Sequence, residues 1–494
     1  MNVMSILSAD WLRESIYIIC VMLFIFGLKM LSNPRTARKG NLLSASAMIF
    51  AIIITIFEKN IQGYQIIMVA NIVALTTGYF MAKKVPMTAM PEMVAIFNGF
   101  GGIASALVAV SEYYERTGKL DDLQLSSVTI AEQVVQTTGS IPGFHGNIIV
   151  FITLFLSILI GMVTFSGSFI AFGKLAEWIS GKPVKYFMQH YLNLLMFVAT
   201  LVIAVLMFLE PANANYFWYI AGIAFVLGIT LTIPIGGADM PVVISLLNSY
   251  SGIAVAMTGF VLSNNLLIIA GSLVGASGII LTQIMCKAMN RSLVNVIFGG
   301  LGGDVAAGDG EAGHVGNFKS MGAEEAGMIL DMAETVIIIP GYGMAVSQAQ
   351  HAVKELAKLL EKRGVDVKFA IHPVAGRMPG HMNVLLAEAG IDYDKLYDME
   401  INRQFSNTDI SIVIGANDVV NPAAKTNPSS PIYGMPVLNV EESRQVLVLK
   451  RSMKPGFAGI ENDLFYKENT TMVFGDAKKT IEAITRSLEE MGAK

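Results

Sequence analysis

Charged residues are scarce in this sequence of 494 residues, because Asp, Glu, Lys and Arg make up only 15% of it. Soluble domains carry roughly 25%, and the deficit argues against a chain that is soluble throughout. Charge is sparse from Met1 to about Gly299 and dense from Asp304 to Lys494. This asymmetry predicts two regions that lie in two different solvents.

Cysteine is also scarce, since Cys20 and Cys286 are the only two. Both lie in or beside apolar stretches, which excludes a disulfide framework or a cysteine-based metal cluster, and no metal site is expected. The small net charge of −4 argues against a nucleic-acid partner. The first basic flank follows the first apolar run, which argues against a cleaved signal peptide.

Long hydrophobic runs dominate the first region. A bilayer core of about 30 Å requires roughly 20 apolar residues in a helix. Runs of that kind predict nine spans, centred near residues 23, 50, 72, 100, 160, 200, 225, 250 and 272. Lysine and arginine are concentrated in the predicted loops on one side, such as Arg35, Lys83, Lys182 and Lys287. The positive-inside rule then puts the N-terminus outside and the C-terminal region in the cytoplasm.

Two membrane stretches repeat each other, because Met90–Ala106 aligns without gaps on Met240–Ala256. The alignment places Asn98 opposite Asn248. Internal repeats in transport proteins often frame a site between the repeated helices. The two amides are expected either to order water for proton transfer or to join neighbouring helices, and the second role is the more common one.

Glu92 and Asp239 lie near the cytoplasmic ends of the same two spans. An unpaired carboxylate at the bilayer centre costs roughly 2.5–3.5 kcal/mol or more, so such a group usually serves a pathway or a partner. A position at headgroup level, in an ordinary loop, is the alternative for both residues.

The second region alternates short apolar runs with polar helices. We expect residues 1–290 to form the membrane domain, 291–325 a linker and 326–494 a nucleotide-binding domain. Thr335–Pro340 predicts a buried strand, followed by a glycine loop and a helix. That loop is Gly341-Tyr342-Gly343-Met344-Ala345-Val346. Strand, glycine loop and helix bring backbone N–H groups to a pyrophosphate, although Val346 replaces the third glycine of the usual fingerprint.

Three further strands are predicted to end in glycine or polar residues. Asp366–Ile371 ends at His372, where the carboxylate that binds the ribose of NAD is missing, which favours a 2′-phosphate. The other two ends carry Gly415-Ala416-Asn417-Asp418 and Lys450-Arg451. Adjacent basic residues can bind a phosphate, although two exposed basic residues are more often part of a solvated loop. The pattern predicts an α/β Rossmann-like domain with a parallel sheet and a site along its carboxyl edge.

Several long motifs resemble the beta subunits of proton-translocating NAD(P) transhydrogenases. They are Ile339–Val346, His372–Ala389, Gly415–Asp418, Lys450–Met453, Gly236–Asp239 and Cys286–Ser292. The resemblance implies that this chain binds NADP(H), with the glycine loop on the pyrophosphate and Lys450 and Arg451 at the 2′-phosphate. It also implies that Ala375-Gly376-Arg377 lies in the cofactor region.

The resemblance further implies that Asp418, Asp239 and Asn248 couple cofactor binding to proton movement. A separate alpha subunit would carry NAD(H) for direct hydride transfer. The implied enzyme is a proton-translocating NAD(P)+ transhydrogenase (Si-specific/Re-specific), a homodimer of alpha–beta units in a bacterial cytoplasmic membrane. One departure is Asn98, which stands where many members have a histidine thought to be protonated during turnover. Because asparagine does not titrate, either Glu92 or Asp239, or water ordered by the two asparagines, would carry the proton.

NAD and NADP differ only at a phosphate remote from the nicotinamide, so hydride exchange between them is nearly thermoneutral. Driving force must therefore enter through changes in binding. One proton that crosses about 150 mV supplies roughly 3.5 kcal/mol. A transporter or channel gated by a cytoplasmic nucleotide-binding domain would explain the architecture equally well, but the sequence shows no ion filter. A purely structural anchor would leave the glycine loop and the basic pair unexplained.

Overall fold

The computed structural model describes residues 10–31, 34–57, 63–116, 148–210, 213–297, 317–430, 432–454 and 460–492. Within these ranges, nine helices are long and apolar enough to cross a membrane. They are α1 (Asp10–Leu31), α2 (Pro34–Ile56), α3 (Tyr64–Lys84), α4 (Met90–Arg116), α5 (Ile148–Leu175), α6 (Gln189–Leu209), α7 (Ala214–Thr232), α8 (Met240–Val261) and α9 (Asn265–Ala288). Every predicted run centre lies in one of them, so the nine predicted spans are confirmed. We refer to residues 10–297 as the membrane domain.

Glycines set the distance between the membrane helices. A Cβ atom on Gly252 of α8 would lie 2.4 Å from the backbone nitrogen of Gly275 of α9. One on Gly278 would lie 2.8 Å from the Cα atom of Ser249. The two helices therefore pack backbone to backbone, and the Ser249 hydroxyl donates to the Gly275 carbonyl oxygen at 2.8 Å. Small residues allow such packing in lipid, where burial of apolar surface gives no driving force between helices.

Helix α5 lies at the centre of the bundle and packs on α4, α7 and α8. Gly102 of α4 crosses Gly161 of α5, where an added Cβ atom would lie 2.7 Å from the Gly161 carbonyl oxygen. Both copies of the repeat begin in the same way, since a 3-10 turn, Met87–Ala89 or Gly237–Asp239, precedes each helix. Helix α3 differs from the others, because none of its described residues is buried.

The remaining described residues, 317–492, form the sheet domain. Its seven parallel strands are β1 (Lys319–Ser320), β2 (Thr335–Pro340), β3 (Asp366–Ala370), β4 (Leu396–Tyr397), β5 (Ile410–Ile414), β6 (Gln445–Lys450) and β7 (Thr470–Phe474). Their order is β1-β7-β6-β5-β2-β3-β4. The predicted Rossmann-like domain and its four predicted strands are confirmed. Strand β1 lies within the segment predicted as a linker, and residues 298–316 of that segment lie outside the described residues.

Both faces of the sheet are covered, which explains why the strands are apolar without alternation. Val336 and Ile338 face the core formed with α11 (Ala323–Asp331), α13 (Gln350–Lys362), α14 (His381–Ala389) and α16 (Ala477–Gly492). Ile337 and Ile339 face a second core, which is closed by residues such as Phe405, Leu438 and Phe465. The helices of the second face are short 3-10 segments, for example Met399–Arg403 and Asp463–Tyr466.

The helix predicted after the glycine loop is present, and the loop itself contains a further short helix that was not predicted. The structure has a five-residue helix, α12 (Tyr342–Val346), and then a break before α13 begins at Gln350. Gln348 has a φ of 49°, a left-handed conformation that ends a helix. The Ser347 hydroxyl donates to the Gly343 carbonyl oxygen at 2.8 Å, which closes the short helix. The remaining short helices are α10 (Leu293–Ile297) and α15 (Ala423–Thr426).

We expect Gly278→Val to destabilise the membrane domain, because the new side chain would collide with the backbone of Ser249. Overpacking of this kind costs about 1–3 kcal/mol. Gly222→Val is the matched control, since no atom lies within 4 Å of a Cβ atom at Gly222 of α7. Thermal unfolding of the purified protein in detergent should show a lower apparent Tm for the first variant only. Equal melting temperatures would contradict the packing described here.

Candidate functional site

The site begins where the two halves of the sheet diverge. The chain continues from β2 to β3 on one side and from β5 to β6 on the other, so the carboxyl ends of β2 and β5 form the topological switch point. The turns that follow these strands touch. The Gly343 N–H donates to the Gly415 carbonyl oxygen at 2.9 Å, and a Cβ atom on Gly341 would lie 2.4 Å from the Cα atom of Ala416. Glycine is required at both contacts, and at Gly415 also by its φ of 62°.

A cleft of about 1000 Å³ opens at this point. Its volume lies at the upper end of the roughly 300–1,000 Å³ range of ligand pockets, as a dinucleotide requires. The wall from the sheet domain includes 13 of the residues predicted to bind the cofactor: Gly341, Tyr342, Gly343, Val346, Ala375, Gly376, Arg377, Gly415, Ala416, Asn417, Asp418, Lys450 and Arg451. The opposite wall belongs to the membrane domain and includes Gly181–Pro183, Gly236–Gly237, Asp239 and Arg291.

Three other predicted residues lie behind the cleft. Met344 and Ala345 are fully buried in the hydrophobic core. His372 is also buried, its Nε2–H donates to the Pro436 carbonyl oxygen at 2.7 Å, and its Nδ1 accepts from the Val374 N–H at 3.2 Å. Burial lowers the pKa of His372 to about 4, although the hydrogen bond to Pro436 opposes the shift. His372 is therefore a neutral residue that supports the turn after β3.

Lys450 and Arg451 follow β6 at the edge of the cleft. The Lys450 ammonium lies 4.7 Å from the centre of the Phe465 ring, and burial lowers the pKa of Lys450 while nearby Asp418 raises it. The side chain of Arg451 is 63% exposed and lies 3.3 Å from Asp476. An exposed basic group such as Arg451 can bind a phosphate without first breaking a buried ion pair.

Asp418 and Asp239 face the same cleft from opposite walls. Asp418 accepts a hydrogen bond from the side chain of Asn417 at 3.2 Å. Asp239 lies 3.8 Å from Arg291, and within the described chain its buried Oδ1 atom has no hydrogen-bond partner. Burial raises the pKa of Asp239, and the Arg291 guanidinium partly opposes the shift.

The two asparagines of the repeat lie outside the cleft. Asn98 is buried and bridges three helices, because its Nδ2 donates to the Ser168 hydroxyl at 3.1 Å and its Oδ1 accepts from the Ser251 hydroxyl at 2.7 Å. This arrangement matches the expectation of a hydrogen bond between helices. Asn248 is half-buried on α8, one turn closer to Asp239 than Ser251 is.

The sequence did not predict a role at the site for Lys174 or Glu177. Lys174 is only 3% exposed, and its ammonium donates to the carbonyl oxygens of Ile233 at 2.6 Å and Ile235 at 2.7 Å. It thereby fixes the loop that carries Asp239. Glu177 pairs with Arg377 of the sheet domain at 2.6 Å. Basic and acidic residues at the end of a span usually indicate a solvated loop, so the sequence gives no signal for either contact.

The fold and the cleft define a multi-pass membrane protein with a Rossmann-like nucleotide-binding domain. A family model described as NAD(P) transhydrogenase beta subunit matches residues 13–487. A protein named NAD(P) transhydrogenase subunit beta from Rhodospirillum rubrum is 51% identical over 480 residues, which is 97% of this chain and 99% of that relative. The protein of the same name from a named strain of that species gives the same values.

This chain belongs to the NAD(P) transhydrogenase beta subunit family, which confirms the resemblance found in the sequence. Membership implies an alpha subunit as partner and the use of NAD(H) and NADP(H) by the complex. The nine apolar helices imply a lipid bilayer around the described spans.

Neutral His372 makes the stability of the sheet domain depend on pH. Its pKa is about 4 in the folded chain and 6.5 in the unfolded chain, so the unfolded state binds the proton more readily. Stability is therefore fully present above pH 6.5 and is lost as pH falls towards 4, by about 2 kcal/mol between pH 6.5 and 5. We expect His372→Gln to reduce the drop in apparent Tm between pH 7.5 and 5. His351→Gln, at an exposed position on α13, should keep the full drop.

Proposed function

We propose that this chain binds NADP(H) and couples hydride transfer with NAD(H), carried by the alpha subunit, to proton translocation across a bacterial cytoplasmic membrane. The observation that carries the proposal is the two-sided cleft. Cofactor-binding loops line one wall, and the loop with Asp239 lines the other. A change in the charge of a membrane carboxylate therefore acts directly on the environment of the cofactor.

The residues of the cleft fit NADP(H). Glycines at 341, 343 and 415 leave room for backbone contact with a pyrophosphate, and Lys450 and Arg451 supply positive charge for a 2′-phosphate. The turn after β3 carries a buried neutral histidine in place of the carboxylate that would bind an unphosphorylated ribose. NADP(H), when bound, supplies or accepts the hydride with the stereospecificity of the family. The chain binds it and holds it at the boundary with the membrane domain.

Asp418, Asp239, Glu92, Asn98 and Asn248 form the coupling path of the proposal. Residues 1–290 serve as the proton-translocating domain, 291–325 as the linker and 326–494 as the NADP(H)-binding domain. Its three carboxylates, which lie at the domain junction, are the members that can take up a proton. Asn98 and Asn248 contribute hydrogen bonds deeper in the bundle, as the bridge from Asn98 to Ser168 and Ser251 supports.

The proposed orientation has the sheet domain in the cytoplasm and the N-terminus outside. Basic residues support it, since Lys182 and Arg291 lie in the wall that faces the sheet domain. The proposal also includes a homodimer of alpha–beta units. Helix α3 supports the presence of further membrane chains, because none of its described residues is buried and the exposed side chain of Asn71, near its middle, bonds to its own helix at 2.9 Å.

We expect Lys450→Ala combined with Arg451→Ala to raise the KM for NADPH at least about 100-fold, because hydrogen bonds to charged groups contribute about 1.5–3 kcal/mol each. The measurement is the reduction of an NAD analogue by NADPH in proteoliposomes that contain this chain and its alpha subunit, with the lumenal pH recorded. Lys358→Ala combined with Lys362→Ala removes the same charge from the exposed face of α13 and should change nothing.

Hydride transfer that is accompanied by proton movement, with both lost in the first double variant, would establish the proposal. Binding of NADP(H) that only opens an ion leak, with no hydride transfer, would instead favour a transporter or channel gated by the sheet domain.

A further inference from the structure

Arg377 belongs to the sheet domain, yet its guanidinium is buried in the membrane domain with 8% of the side chain exposed. Its Nη2 lies 2.6 Å from the Glu177 carboxylate, and its Nη1 lies 3.4 Å from the Glu92 carboxylate. Nη1 also donates to the carbonyl oxygen of Leu175. We name these three partners, Glu92, Glu177 and the Leu175 carbonyl, the arginine cradle.

The cradle is built to hold a cation. Leu175 is the last residue of α5, and the last carbonyls of a helix carry partial negative charge and lack partners within the helix. Glu92 adds a carboxylate from the first turn of α4, and its side chain is only 14% exposed. Within the described chain the Oε2 atom of Glu92 is buried without a hydrogen-bond partner. The contact with Arg377 therefore stabilises a charge on Glu92, together with the Glu92 backbone N–H.

Arg377 also contacts a residue of the cofactor cleft. The guanidinium carbon is 4.3 Å from the centre of the Tyr342 ring, a distance typical of a cation–π contact. Tyr342 is the middle residue of the Gly341-Tyr342-Gly343 loop, and both Tyr342 and Arg377 line the cleft. The Arg377 backbone N–H donates to His381 Nδ1 at 3.1 Å, so the main chain is held in the sheet domain by a contact that does not involve the guanidinium.

We propose that Arg377 is a two-position switch that leaves the cradle when Glu92 becomes neutral and then binds a phosphate of NADP(H) in the cleft. This inference rests on the proposed function, and it assigns to Arg377 the coupling between NADP(H) binding and the protonation of Glu92. The cradle uses both Nη atoms of the guanidinium, so ionised Glu92 competes with NADP(H) for Arg377. Because coupling is reciprocal, bound NADP(H) favours the protonated form of Glu92. A carboxylate at the domain junction thus supplies the proton response that Asn98 cannot supply.

Arg377, Glu177 and Tyr342 are the charged and titratable groups that face Glu92, and His381 lies behind Arg377. Burial raises the pKa of Tyr342 to about 12, and burial and Arg377 lower the pKa of His381 to about 4. Neither of these two groups changes charge between about pH 5.5 and 8.5. If the pH response of NADPH binding depends on the cradle, it therefore arises from the carboxylates of the cradle.

The test measures the dissociation constant of NADPH by its fluorescence, from pH 5.5 to 8.5, in the detergent-purified complex with the alpha subunit. In the wild-type complex we expect the constant to fall about tenfold as pH falls, within the usual range of couplings between sites. Glu92→Gln should bind tightly at every pH, so that its curve is flat. Glu177→Gln, at a side chain that is 76% exposed, should bind severalfold tighter than wild type at pH 8.5.

Glu112→Gln is the matched control, because Glu112 lies on the same helix and pairs with Arg116 at its other end. It should reproduce the wild-type curve. Wild-type curves for Glu92→Gln and Glu177→Gln, or weaker binding in both, would overturn the switch. If Glu92→Gln does not fold, Glu177→Gln decides alone. Hydride transfer measured on the same wild-type sample separates the two proposals. If hydride transfer occurs but the variants bind NADPH as wild type does, only the switch is rejected. If hydride transfer is absent, the proposed transhydrogenase function is rejected.

Discussion

The contact between the turns after β2 and β5 determines the functional half of the molecule. Backbone atoms touch there because Gly341, Gly343 and Gly415 have no Cβ atoms, and Gly415 adopts a left-handed conformation that other residues rarely take. The sheet divides at this contact into halves whose connections run in opposite directions. The space left at the carboxyl edge is the cleft, so the cofactor site follows from strand order and from the absence of three side chains.

Several charged residues of the membrane domain lie in the second wall of that cleft or directly behind it. Lys174 and Asp239 are placed at the ends of spans that face the sheet domain, where the cost of burial can be met by carbonyl oxygens or by an opposite charge. The Arg377 guanidinium enters this layer from the sheet domain. Among the described residues, membrane carboxylates and cofactor-binding loops share contacts at the junction between the two solvents, which is what coupling between them requires.

Asn98 is a member of the proposed coupling path that cannot be protonated. Its amide donates to Ser168 and accepts from Ser251, so it ties α4 to α5 and α8 as a fixed bridge. An amide in this position holds helices in register but cannot take up a proton. The carboxylates are instead Glu92 in the first copy of the repeat and Asp239 directly before the second, both at the junction, where a change of charge acts on the sheet domain without passing through the depth of the bundle.

The sequence by itself determined the nine spans, the four central strands and the glycine loop, because apolar length, β-branched content and turn residues are local properties. It did not reveal the two-residue edge strands β1 and β4, which exist only through pairing with a neighbour, or the helix break at Gln348. Only the tertiary structure decided that Arg377 meets Glu92 and Glu177, and that Lys174 is buried. These contacts join segments far apart in the chain, so their strength depends on packing and desolvation at the domain junction, which no local pattern records.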